Sequence, residues 1–375
     1  MYQFQIHYVT DLDGQGTTER DVTITTLRAE VIRNALLVGA GVGALATLII
    51  GIRRQQHSEF HATQERITEL RIKAVEQLGS TNPVVRIGGL HNLERLGEQH
   101  KELRQIILDE ICAYLRLPAP NFSELSERFS NEDSTHLFEP MGPLPTPITD
   151  EIKQEFFVRM TANEILQRHV RWKGNQGNYW RHERLNLTGA YLADNDFTGA
   201  KLTNSNFHYA TFEIGASFKD AIFETEPKFN FAHFKGPVDF TEATFMTNAD
   251  FYHIKASHEV NFSKARGPAR LYIYMMENVG NIVLEDADFS EVGLSNMKYK
   301  GAGSFKNLKV QQKFWIRNLS FDDGVNLEGI DVTRFKFDDD IRFKIEPSKI
   351  PANLRVGVDA QNTGWGRLVN PEGEL

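Results

Sequence analysis

Few residues in this chain have the types and spacing that chemistry needs. His57 and His61 stand four apart, which places both imidazoles on one face of a helix. A metal site there would need a third ligand and supporting hydrogen bonds, and the chain has no HExxH motif and no cysteine cluster. The pair therefore reads as solvated. Asp338-Asp339-Asp340 is an acidic run that could touch a cation, and Asp286, Asp288 and Glu291 form a looser one; both read as hydrated surface. Cys112 is the one cysteine, which excludes an internal disulfide framework and reads as a buried small side chain on a helix. The run LLVGAGVGAL, Leu36 to Leu45, imitates a strand followed by a dinucleotide-binding glycine loop. That loop needs a strand before it, a helix after it and an acidic residue about 20 positions on. Here the glycines sit inside one apolar run, and the stretch after it is charged and helical. With no GxSxG motif either, no catalytic, cofactor or metal residue is assigned, and the protein reads as a non-enzyme.

The elements around those residues are more informative. Ala35–Ile52 holds 18 residues with no charge, bounded by Arg33 and by Arg53-Arg54. About 17 apolar residues are the lower limit for crossing a bilayer core. The stretch lies too far from the N-terminus for a secretory signal, and no small-residue cleavage site comes after it. The expectation is one transmembrane helix over 33–54. Gly39 and Gly43 form a GxxxG pair on it, which would let a second copy approach closely. Basic residues on the two sides are nearly balanced; the adjacent Arg53-Arg54 favours a cytoplasmic C-terminal region.

Before the span, residues 1–30 read as a short hairpin, with strands Gln3–Val9 and Asp21–Thr26 around a turn at Asp11 to Gly14. After it, 55–117 reads as helices. Gly79 stops the first, Asn82-Pro83 starts the second, which ends at Gly97, and the third runs from about Lys101 to Leu115. A Pro-rich linker occupies 118–148. Thr149-Asp150 then caps a helix within a capping segment, 149–180, placed to cover the open end of the repeat region after it.

The repeat region, 181–345, places apolar residues in fives. Leu187, Leu192, Phe197, Leu202, Phe207 and Phe212 keep strict spacing. The step then alternates between six and five through Phe218, Phe223, Phe229, Phe234, Phe240, Phe245 and Phe251. The phase weakens between Ile254 and Asn281, where Gly267 and Asn278 fall on central positions and a bulge or loop is expected. It returns at Leu284, Phe289 and Leu294 and continues to Phe343. A small or apolar residue stands two before most of these, with Asn195 the exception. Helices repeat near 3.6 and strands at 2, so neither fits. A chain that turns a corner every five residues does fit. Four sides make a coil of about 20 to 22 residues, and such coils stack at about 4.8 Å like strands. Ile345–Val356 reads as a C-terminal cap within 346–375, and the tail from Asp359 as loose.

Ala190-Tyr-Leu192-Ala-Asp, Asn195-Asp-Phe197-Thr-Gly and Ala200-Lys-Leu202-Thr-Asn resemble the pentapeptide-repeat family. The resemblance implies a right-handed quadrilateral β-helix. The order of span, helices ending in ICAYLRLP, Pro-rich link and repeats resembles a bacterial, membrane-attached subgroup of that family, and implies architecture only. The fold class expected is thus α+β and multi-domain: one transmembrane helix, a small helical segment and a C-terminal β-helix.

The composition leaves three functional readings. A net charge of -8 and a pI near 5.9 disfavour a direct nucleic-acid binder. The favoured reading is a membrane-anchored scaffold that presents the β-helix to a protein partner. The second is a DNA-mimicking topoisomerase binder, which the near balance of acids and bases across the repeats disfavours. The third is a membrane effector that oligomerises through Gly39 and Gly43; its span carries no charge to line a pore.

Overall fold

The computed structural model describes residues 17–122, 149–193, 195–277 and 280–330. It also gives the backbone of the strands Phe335–Phe337, Ile341–Lys344, Arg355–Val358 and Trp365–Val369. The chain divides into two compact units, Met1–Leu70 and Arg71–Leu375.

Helix α1 runs unbroken over Thr17–Leu78. Asp21–Thr26, expected as a strand, is helical. Its β-branched residues favour extension locally, but elongating an existing helix costs far less than starting one. The partner strand expected at Gln3–Val9 lies outside the described residues. Within α1, the apolar stretch is long enough to cross a membrane and is not buried by any other described residue.

In the second unit, α2 is Pro83–Gln99 and α3 is Arg104–Leu115, joined through a 3-10 turn at Lys101–Leu103. Asn82 caps α2 by accepting from the Val84 N–H at 2.9 Å, with Pro83 in the first turn where its missing N–H costs nothing. Helix α4 is Asp150–Val170, capped by Thr149, with acids in its first turn and Arg168 and His169 in its last, as the helix dipole favours. Leu90, Leu93, Ile107, Ile111, Leu115, Ala162, Leu166 and Val170 bury together, in one core continuous with the first repeats. Arg159, 1% exposed, holds the C-terminal end of α3 by donating to the carbonyls of Leu115 at 2.9 Å and Leu117 at 2.8 Å. Most of the Pro-rich linker, from 123 to 148, lies outside the described residues.

From Leu185 the chain is a parallel β-solenoid of about six turns over 185–326, its strands falling in four sheets. Pairing advances 20 residues from Leu192 to Phe212, 21 from Leu202 to Phe223 and 22 from Phe223 to Phe245. Each central side chain therefore lies over its counterpart one coil away. Phe197, Phe218, Phe240 and Phe262 stack with ring planes 5° to 8° apart and centroids 4.8 to 5.3 Å apart. Phe207, Phe229 and Phe251 form a second stack, and Phe223 with Phe245 a third.

The corners explain the polar residue that precedes many central ones. Asn186, Asp196, Asn206, Asp239 and Asn261 each accept from the backbone N–H two residues on, closing the corner with the side chain. Asn195, the odd residue among the small inward positions, is buried. Its amide donates to the carbonyls of Leu192 and Gly215, both at 3.1 Å, which gives the buried polar side chain partners inside the coil.

Between Ile254 and Asn281 the repeat continues through the described residues; Asn278 lies outside them. Ala256, Phe262, Gly267 and Ile273 take the central positions, and Gly267 pairs onward to Phe289. The expected bulge appears as a register shift between Gly267 and Arg270. From there the strands lengthen: Arg266–Tyr274, Asp288–Tyr299 and Lys309–Phe321 run through corners that break the ladder in earlier coils.

At the first coil, Trp172 and Lys173 donate to the Gly199 carbonyl at 2.9 Å, and Gln105 of α3 bonds to the backbone of Glu183 and Arg184. Helix α3 thus joins the expected cap. At the other end, the described part of the tail expected to be loose is a strand. Trp365–Val369 pairs antiparallel with both Ile341–Lys344 and Arg355–Val358, so it covers a strand edge that the solenoid would otherwise expose. Of the expected cap Ile345–Val356, only Arg355 and Val356 are described.

Candidate interaction surface

Two corner columns of the solenoid make the same turn with opposite chemistry. It is closed where the N–H of the inward residue donates to the central carbonyl three residues back, as in Ala210 to Phe207 and Ala221 to Phe218, both at 3.0 Å; at His253 and Met275 the positive φ recurs in a bend. The third residue of such a turn has positive φ, which suits Gly or Asn and strains a bulky side chain.

One column reads Gly199, Asp220, Glu242, Lys264, Asp286, Asn307 and Gly329. It is polar and largely self-neutralising: Lys173 pairs with Asp220 at 2.5 Å, Lys264 lies 3.9 Å from Glu242, and Asn307 donates to Asp286 at 3.1 Å. The other begins with Gly189 and ends with Asn296 and Asn318, the residues such a turn prefers. Its middle four positions are Tyr209, Phe231, His253 and Met275, at φ values of 59°, 61°, 51° and 54°. Tyr209 is 60% exposed and Phe231 42%. Tyr209 stacks on Phe231 at 4.9 Å and 6°, and Phe231 on His253 at 5.1 Å and 9°. Tyr252 and Tyr274 lie beside them, 4.3 Å apart. Farther along the same face, Tyr272 meets the edge of Trp315 at 5.4 Å, with Arg270 4.7 Å from the Tyr272 ring centre. Tyr, Trp, Phe, Met and Arg are the residues enriched at protein interfaces.

Several acids on the outer walls are paired between coils. Glu224 meets Lys201 at 2.8 Å, Asp250 meets Arg270 at 2.7 Å, and Glu328 meets Lys306 at 3.2 Å. Glu213, fully buried, is held by Lys235 and by the Tyr191 hydroxyl.

The structure places most of the residues singled out from sequence. Leu187, Leu192, Phe197, Leu202, Phe207, Phe212, Phe218, Phe223, Phe234, Phe240, Phe245, Phe251, Leu284, Phe289 and Leu294 are all buried along the axis. Gly39 and Gly43 lie on an exposed stretch of α1 with open space where a side chain would project. His57 and His61 stack at 5.9 Å, with no further ligand brought to them among the described residues. Asp286 and Asp288 each accept from a side-chain amide, and Glu291 accepts from the Tyr272 hydroxyl at 2.7 Å. Asp338 to Asp340 lie outside the described residues. Cys112 is buried, and the low polarity around it, with Asp109 nearby, pushes its thiol up to about 12.

Two features escaped the sequence. The aromatic corner was legible in principle, as a bulky residue two after the central one every 22 or so residues. The other is a group of ligating side chains, Glu94 and Glu98 on α2 with His169 on α4, whose donor atoms all lie within 4.8 Å of one another. Burial alone would raise the Glu94 carboxyl. The His169 hydrogen bond and the Arg168 charge outweigh it and bring it to about 2.

Comparison with protein families agrees with the geometry. Residues 184–224 match the family model described as pentapeptide repeats (8 copies), and residues 225–266 the one described as pentapeptide repeats (9 copies). Residues 184–266 of the β-solenoid thus carry pentapeptide repeats, whose fold generally serves as a structural or interaction module. Neither the curated proteins nor the solved structures give a match.

Proposed function

We propose that this protein is a membrane-anchored, non-enzymatic interaction module. The apolar stretch of α1 is the anchor, the C-terminal region faces the cytoplasm, and the solenoid presents the Tyr209–Phe231–His253–Met275 corner to a protein partner. The observation that carries this reading is the choice of residues at that corner. The backbone there asks for Gly or Asn, and the chain accepts a steric penalty of about 1–2 kcal/mol per position to expose large apolar side chains instead. Inter-ring stacking offsets about 0.5–1.5 kcal/mol per pair, so internal stability alone is a weak reason for the choice. The charged corner, which makes the same turn with soluble side chains, is the internal control. Pairing of Glu224, Asp250 and Glu328 with bases interrupts the uncompensated negative face that DNA mimicry requires.

The test is fractionation and crosslinking of the tagged full-length protein. The wild type should appear in the membrane fraction with a discrete crosslinked protein adduct. Tyr209→Ser with Phe231→Asn and Met275→Ser should remain folded by circular dichroism and lose that adduct. Recovery in the soluble fraction removes the anchor, and an adduct unchanged by the triple variant removes the corner.

A further inference from the structure

We infer that His169, Glu94 and Glu98 form a binding site for a divalent transition-metal ion of the zinc type. His169 is 1% exposed and stacks on Trp180 at 3.8 Å, so its ring cannot turn away. Its Nδ1 lies 2.8 Å from the carbonyl oxygen of Asn178. A carbonyl only accepts, so Nδ1 carries the hydrogen and the neutral ring presents a lone pair at Nε2. That lone pair faces another acceptor, the Glu94 Oε1, at 3.0 Å. Two acceptors held together in a buried place need something positive between them.

A proton on Nε2 is one answer, and it makes a buried imidazolium. Glu94 Oε1 is also met by Arg168 at 2.5 Å, so whichever cation lies between the two acceptors shares that oxygen with a guanidinium. A metal ion uses the same lone pair and brings in Glu98. Glu98 lies one helical turn from Glu94 on α2, is exposed, and has a carboxylate oxygen within the same 4.8 Å group. Imidazole nitrogen and carboxylate oxygen are both ligands that zinc takes, and a hydrogen bond from the other ring nitrogen to a carbonyl is a usual way a ligating histidine is oriented. His91 lies outside the group, with Nδ1 3.4 Å from the other Glu94 oxygen, Oε2. Arg168 then serves as the outer hydrogen-bond partner of Glu94. The ion would tie α2 to the last turn of α4, where that helix leads into the first coil.

The probe is Zn2+ added to chelator-treated full-length protein, with binding read by calorimetry and by the thermal midpoint, and Co2+ absorption reporting the coordination geometry. The wild type should bind one ion at this site and melt higher with Zn2+. Glu98→Gln, an exposed change that leaves the fold intact, should weaken binding at least tenfold and abolish the melting shift. His57→Gln with His61→Gln should alter neither. Equal binding by wild type and Glu98→Gln, loss of binding in the His57 and His61 double variant, or no binding by folded wild type would each overturn the site. His169 would then be the imidazolium of an ion pair.

Discussion

The Trp180 indole fills the space that a side chain at position 97 would need. A Cβ built on Gly97 would overlap Trp180 Cη2 and lie 2.8 Å from Cζ2, and Trp180 is itself 1% exposed. Sequence alone offers Gly97 as the end of a helix; the structure makes it a contact between α2 and the segment that enters the first coil. Gly97→Ala should therefore be destabilising although alanine is the better helix former. The indole must shift, which in a packed core costs about 1–3 kcal/mol. Chemical denaturation of wild type and Gly97→Ala checks this. Equal midpoints would mean that the ring moves freely and that Trp180 does not fasten the two parts.

The axial stacks make a second expectation quantitative. Phe240 lies between Phe218 at 5.1 Å and Phe262 at 4.8 Å and is closed in on all sides. Phe240→Ala should leave a cavity and cost about 3–5 kcal/mol. Met246→Ala, at a 53% exposed position of the same solenoid, should stay within about 0.5 kcal/mol. Denaturation curves of the two variants would overturn the register if their losses were alike.

How much of this was legible depends on the range of the interaction. The axis was readable because most central residues are large and apolar at steps of five or six, so pattern alone places Phe197 over Phe218. The pattern faded where Ala256 and Gly267 took central places, because small side chains carry no hydrophobic signal while the backbone ladder continues through them. The strand expected at Asp21–Thr26 failed for the opposite reason. Local propensity was strong, and a long helix starting at Thr17 overrode it. The C-terminal strand at Trp365–Val369 was invisible because its pairing partners lie at Ile341–Lys344 and Arg355–Val358, and its only reward is to close an edge. The meeting of Glu94 with His169 is likewise a product of helix packing. The two stand 75 positions apart, and no spacing rule links them.

Cys112 gives a prediction with a definite sign in pH. Burial first, and the nearby Asp109 second, raise its thiol from an ordinary 9.0 to about 12 in the folded protein. The folded state therefore holds the proton more tightly than the unfolded chain. The associated stability is complete below pH 9 and is lost as pH climbs through 9 towards 12, at up to about 1.4 kcal/mol per pH unit for this one proton. Tyr114, raised to about 12 by burial and by Glu155, ionises over the same range, so the thiol is isolated by difference. Subtracting the pH–stability curve of Cys112→Ser from that of the wild type should leave a component that is flat up to about pH 9 and falls above it. In parallel, a thiol reagent at about pH 8 should label Cys112 only as fast as the surrounding α2, α3 and first-coil core opens. Labelling at the rate of a free thiol, in protein shown to be folded, would place Cys112 at an accessible surface and remove it from that core.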